Sequence, residues 1–134
     1  MEVSHEFLPR SGGELEVLVV ARISGGPAGR KKERLQEQVD RLRHFIGTVY
    51  RGPMNFHSVA TESSGERLVH AELANLIRSR KFDVLVVEDL GRLGRTAAAR
   101  EFCRLSVEHG VRIVAANEGI DTAEQSGKEA MIAV

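Results

Sequence analysis

Arg22-Ile23-Ser24 places a hydroxyl nucleophile two residues from a fixed positive charge. The triplet ends the apolar run Val17-Leu18-Val19-Val20, which reads as a buried strand. The carboxyl ends of such strands are where α/β sheets display their chemistry. A serine hydroxyl is a poor nucleophile until its pKa falls or a base takes its proton. Residues two apart in an extended chain point to the same side, so Arg22 is placed to lower that pKa. Arg92-Leu93-Gly94-Arg95 follows a second apolar run. Arginines three apart share a face of a helical turn, and guanidinium planes bind phosphate oxygens in pairs. Gly91 and Gly94 let a ligand approach the backbone closely. Serine plus arginines, with no well-placed histidine base, fits attack on a phosphate better than on a carbonyl. Taken alone, Arg92 and Arg95 fit better a surface pair bonding a helix end or the carboxylates of Glu88 and Asp89; beside Arg22 and Ser24 that reading loses.

The stretch Gly25 to Lys32 invites comparison with a phosphate-cradling P-loop and fails it. That motif needs glycine, four residues, then Gly-Lys-Ser/Thr; here Gly29 precedes Arg30-Lys31-Lys32 and no hydroxyl follows. Gly25-Gly26-Pro27-Ala28-Gly29 is instead read as a mobile loop carrying solvated charge.

The elements that must position these residues alternate between strand and helix. Residues 1–14 are expected to form a flexible lead broken at Ser11-Gly12-Gly13, and the first strand covers Glu16 to Ala21. From about Arg30 the pattern becomes helical, with Leu35, Val39, Leu42, Phe45 and Ile46 at three- to four-residue spacing. Met54 to Ala60 reads as a second strand and Thr61 to Gly65 as a polar turn. A helix is expected from about Val69 to Arg80. Phe82 to Glu88 is the clearest buried strand. Thr96 is a candidate N-cap for a helix that ends at His109-Gly110, with glycine in the C′ role. Val111 to Ala115 is a fourth strand, Gly119 to Thr122 a turn, and Lys128 to Val134 the start of a further helix. Such alternation argues for an α/β domain with a mostly parallel sheet of four to five strands flanked by helices.

Composition bounds the function. A chain of 134 residues makes one domain, able to bury roughly two-thirds of its unfolded surface. With 42% hydrophobic and 28% charged residues, it reads as an ordinary globular protein. No apolar run reaches the roughly 20 residues that span a bilayer, and the first residues lack signal-peptide order, so a cytoplasmic location is expected. Cys103, the single cysteine, excludes an internal disulfide and reads as a core residue. His5, His44, His57, His70 and His109 are scattered, so no metal or other cofactor is expected. Net charge is zero, whereas domains that bind nucleic acid through their own surface are usually basic. Any affinity for DNA should then come largely from another module or from several subunits together.

The chain resembles the catalytic domain of serine site-specific recombinases, the resolvase/invertase group. The matching features are Arg22-Ile23-Ser24 after a strand, Gln38 in the next helix and Ser64-Gly65 after the second strand. They continue with Phe82 to Val87 leading to Arg92-Leu93-Gly94-Arg95, then Gly110-Val111 and Gly119-Ile120-Asp121-Thr122, in family order over about residues 16–134. The resemblance implies a three-layer domain over residues 15–134, cut off at the start of a long dimerisation helix. It implies that Ser24 attacks a DNA phosphodiester to give a 5′-phosphoserine link, while Arg22, Arg92 and Arg95 hold the phosphate oxygens. Gln38, Ser64, Glu62 and His70 are its supporting residues. It also implies homodimers, a tetramer when active, and DNA bound partly through a region outside this chain.

Several positions depart from the family pattern. An acidic residue often stands three before Ser-Gly, where this chain has Thr61; neighbouring Glu62 is the candidate replacement. An arginine is common where His70 stands, an aspartate where Gly91 stands, and an aromatic where Val20 stands. The loop between Ser24 and Gln38 is longer than in compact resolvases. Two alternatives therefore stand beside the recombinase: a catalytically reduced relative serving as an oligomerisation or regulatory module, and a flavodoxin-like small-molecule binder. The last gives no reason for Arg22, Ser24, Arg92 and Arg95 to coexist.

Overall fold

The computed structural model describes residues 3, 5–10, 12–23, 28–62, 66–93 and 96–124. Five strands and three helices follow in the order β1 (Leu15–Ile23), α1 (Ala28–Val49), β2 (Met54–Glu62), α2 (Glu66–Arg78), β3 (Val84–Val87), a 3-10 turn (Leu90–Leu93), α3 (Thr96–Glu108), β4 (Arg112–Ala115) and β5 (Ile120–Asp121). The sheet order is β2-β1-β3-β4-β5, parallel except for β5.

β1 is apolar on both sides because it is covered on both sides. Val17, Val19 and Ala21 pack with Val39, Leu42 and Ile46 of α1. Leu18 and Val20 pack with Leu73 and Ile77 of α2 and Phe102 and Cys103 of α3. α1 thus lies on one face and α2 with α3 on the other, giving the three layers expected. The chain leaves β1 toward β2 and then returns past β1 to β3, so the connections diverge at the carboxyl ends of β1 and β3. That switch point leaves a crevice where open α/β sheets bind ligands.

The ends of the helices follow local rules. Gly110 has φ +70°; its N–H donates to the Val107 carbonyl at 3.2 Å, and the Val111 N–H donates to Ser106 at 2.8 Å. That is a Schellman ending, and the left-handed residue it requires favours glycine. α2 closes with Arg80 at φ +59°, an uncommon conformation for a residue with a side chain. Arg10 serves both ends. Its Nη1 donates to the Arg80 carbonyl at 3.3 Å and its Nη2 to the His109 carbonyl at 3.1 Å, with a further bond to the Gly110 carbonyl. A cation there satisfies orphan carbonyls and complements both helix dipoles.

Several sequence expectations need correction. Residues 5–10 are docked against the domain. Phe7 is 4% exposed in the core shared with β1 and β3, and the Arg112 guanidinium lies 4.1 Å over its ring. Arg112 also donates to the Glu6 and His5 carbonyls at 2.9 and 3.1 Å and to Asp121 at 2.8 and 2.6 Å. The second correction is Ile120–Asp121, expected in a turn, which forms an antiparallel strand opposite Val114 and Ala115. Of the loop expected at Gly25 to Gly29, Ala28 and Gly29 already belong to α1, and Thr61 and Glu62, expected in a turn, complete β2. Residues 25–27 and the helix expected from Lys128 lie outside the described residues.

Asp121 is 2% exposed, and removing Arg112 strands its carboxylate in the protein. Arg112→Ala is expected to lower unfolding free energy by about 3 kcal/mol, measured by urea denaturation. Cys103, 1% exposed, has its thiol pushed up from 9.0 to about 11 by burial and, secondarily, by the charge of Glu118. Thiol reagents at pH 8 should therefore label it only through unfolding. Its contribution to stability should hold below pH 9 and be lost as pH rises from 9.0 to about 11.

Candidate active site

Arg22 stands at the end of β1, where the pairing of β1 with β3, which spans Val17–Val19, has stopped. Its backbone groups are bonded by side chains instead. Gln38 of α1, 2% exposed, accepts from the Arg22 N–H at 3.0 Å and donates through Nε2 to the Arg22 carbonyl at 3.3 Å. Both ends of a buried amide are thereby satisfied. The same carbonyl accepts a bond from Arg92 Nη1. Arg22 Nη1 in turn donates to the Gly91 carbonyl at 3.5 Å. The two arginines are interlocked, each side chain bonding backbone at or beside the other.

Arg92 rides on the 3-10 turn after β3, anchored through buried Leu90 and Leu93. Glu118, from the turn between β4 and β5, accepts from the Leu90 N–H at 2.6 Å. The Asn117 N–H donates to the Glu88 carbonyl at 2.8 Å, and the Arg92 N–H to the Asp89 carbonyl at 3.1 Å. The Glu88 side chain, 10% exposed, is held by Arg41 of α1 at 2.6 Å. Asp89 approaches Arg92 Nε at 3.5 Å through Oδ2, an ionic contact too long for a good hydrogen bond.

Arg22, Asp89, Gly91 and Arg92 line an open cleft of about 280 Å³ at the switch point. A larger cleft of about 740 Å³ opens at the amino ends of the strands. There the Asp83 carboxylate is spent on the N–H groups of Arg10 and Glu16, and Arg10 on helix ends. The larger cleft also has two arginines, Arg10 and Arg80, but lies at the opposite end of the sheet. The smaller, at the switch point, brings Arg22 and Arg92 together and suits an anion with several oxygens.

Of the residues expected at the site, Arg22, Gln38 and Arg92 are brought together. Ser24, Arg95 and Ser64 lie outside the described residues. Glu62 sits in β2 opposite Ile23, and Thr61 opposite Arg22, so the end of β2 runs alongside the site. His70 is placed elsewhere. Its ring meets Phe102 edge-on at 5.1 Å, in an apolar groove between α2 and α3 that also includes Ala74 and Leu105.

Two contributors escaped the sequence reading. Glu118, just before the turn expected at Gly119, drew no reading at all. Asp89 appeared only as a neutralising partner for arginine, yet it supplies the cleft with a carboxylate. Its Oδ1 lies 3.0 Å from where a Cβ on residue 91 would stand, so it fills space that a side chain at position 91 would contest. Among the described residues no cluster of His, Cys, Asp or Glu suits a metal ion, and no helix is long and apolar enough to cross a membrane.

Removing a clamp should cost stability and geometry together. Gln38→Ala leaves the Arg22 N–H without its buried acceptor and is expected to destabilise by about 1–3 kcal/mol in thermal or urea unfolding. Glu118→Gln retains an acceptor for Leu90 and should stay closer to wild type than Glu118→Ala.

Comparison with known proteins places this architecture. The family described as resolvase, N-terminal domain, matches residues 17–134. No curated protein matches the chain. Among solved structures, the N-terminal catalytic domain of TP901-1 integrase superposes with a TM-score of 0.67 at 24% identity, over 87% of this chain and 88% of that one. A resolvase family site-specific recombinase from Streptococcus pneumoniae gives a TM-score of 0.67 at 19% identity, over 90% of this chain and 85% of that one. Both share the fold. Sequence match and architecture agree, and the chain belongs to the resolvase family through its N-terminal domain.

Proposed function

We propose that this domain cleaves and rejoins DNA strands in site-specific recombination, with Ser24 as the attacking group. The observation that carries the reading is the convergence of Arg22 and Arg92 on one cleft at the switch point, with Ser24 two residues after Arg22 in the sequence. The Ser24 oxygen bonds to the phosphorus of a phosphodiester as its own proton leaves. The bond from phosphorus to the 3′ oxygen breaks, and that oxygen takes up a proton as a free 3′ hydroxyl. The 5′ phosphate remains on serine, and reversal from a new 3′ hydroxyl rejoins the strand with no external energy source.

Arg22, Arg92 and Arg95 neutralise the non-bridging oxygens as charge builds in the transition state. Donors fixed before reaction are effective because they need no reorganisation during it. Gln38 fixes the Arg22 peptide, Asp89 and Glu118 fix Arg92, and Ser64 and Glu62 have supporting parts in this reading. DNA is the substrate, held partly by a region beyond residues 15–134. Two copies pair and four assemble for strand exchange, in the cytoplasm. The other reading, a catalytically reduced oligomerisation or regulatory module, draws support from Gly91 and from His70 packing between α2 and α3.

A nicked suicide substrate separates the two. Wild-type protein should form a covalent protein–DNA adduct that vanishes in Ser24→Ala. Arg92→Ala should slow adduct formation by about 10²–10³-fold. Absence of an adduct in the wild type, or its persistence in Ser24→Ala, would overturn the catalytic reading.

A further inference from the structure

α1 carries more than the clamp on Arg22. Counting back from Gln38 by four and then three residues reaches Arg34 and Lys31; counting forward by three reaches Arg41. Residues so spaced share one helix face. Two members of this row are fixed at the carboxyl edge of the sheet, Gln38 on the Arg22 peptide and Arg41 on Glu88. α1 follows β1 and packs back along it, so residues earlier than Gln38 lie progressively beyond the strand ends. At the helical rise, Arg34 and Lys31 stand about 6 and about 10 Å further out than Gln38.

Arg34 and Lys31 are partly buried, while Arg30 and Lys32 beside them are exposed. Glu33 is the single acid from residue 28 to residue 36. In a chain of zero net charge, this is a local concentration of cations at the start of α1, the helix whose Gln38 clamps the Arg22 peptide.

We infer that Lys31 and Arg34, flanked by Arg30 and Lys32, form a rail for the DNA backbone that extends the phosphate site. The inference rests on the recombinase reading for its substrate and adds the surface that holds the phosphates beside the one attacked. Duplex DNA carries one charge per about 1.7 Å of its axis, so Lys31 and Arg34, about 4.5 Å apart along the helix, can each meet a phosphate. Such contacts read backbone rather than bases. They orient the duplex in the cleft without selecting its sequence.

The test is the salt dependence of binding. The full chain is titrated with a fluorescein-labelled 30-base-pair duplex of arbitrary sequence at several salt concentrations. Lys31→Gln/Arg34→Gln should lower the slope of log K against log salt by about 1.8, two phosphate contacts at about 0.9 each, with the unfolding midpoint held near wild type. Arg104→Gln, which removes a cation paired with Glu101 at 3.6 Å on α3, should leave the slope unchanged. An unchanged slope in the double variant, an equal fall in Arg104→Gln, or no salt-dependent binding by wild type overturns the rail. Ser24→Ala keeps the slope if the rail exists, whatever happens to the adduct, so the rail and the nucleophile fail separately.

Discussion

The structure depends on how the end of β1 is satisfied. A strand covered on both faces cannot leave its backbone polar groups without partners, and β3 pairs with β1 only from Val17 to Val19. Past that point the Arg22 peptide needs other partners. It finds them in the Gln38 amide and the Arg92 guanidinium. The bonds that complete the sheet are therefore the bonds that assemble the cleft of Arg22 and Arg92. Fold and site draw on the same few groups, and neither is adjustable alone.

That economy also sets the electrostatics. Arg92 reaches the cleft with one side-chain donor committed to the Arg22 carbonyl and its Nε facing Asp89. Its charge is held in place by protein groups before any phosphate arrives. Residue 91 is glycine, yet the cleft does not lack a carboxylate, because Asp89 occupies the adjoining space. The acid comes from two positions earlier in the chain.

How much could be read from the chain follows from the range of each interaction. β1 and β3 announced themselves because burial on both faces demands continuous apolar runs. α1 did so through its 3.6-residue period, and α3 through its Thr96 cap and the glycine ending at Gly110. Arg22 and Arg92 were legible because strand ends and arginine spacing are local facts. Ile120–Asp121 was missed because two residues carry no period, and its pairing depends on Arg112 gripping Asp121. Phe7 was missed because a lone aromatic in a polar segment gains meaning only when Arg112, 105 residues later, covers it. Glu118 belongs with these. Its role exists only once the turn between β4 and β5 lies beside the start of the Leu90–Leu93 turn. Gln38 was picked out by family resemblance alone, since nothing in a polar helical position reveals that its amide will replace a strand neighbour.

The docking of the amino-terminal segment has a consequence in time. Arg10 and the residues around Phe7 bind groups 70 to 107 positions further along the chain. None of those partners exists when the segment leaves the ribosome, and closing loops of that length is slow compared with forming a helix. β1, α1 and β2 pair among near neighbours and can be in place while the segment still waits for α2, α3 and β4. Residues made before the sheet are among the last to be fixed, and they settle only on a sheet that is otherwise complete.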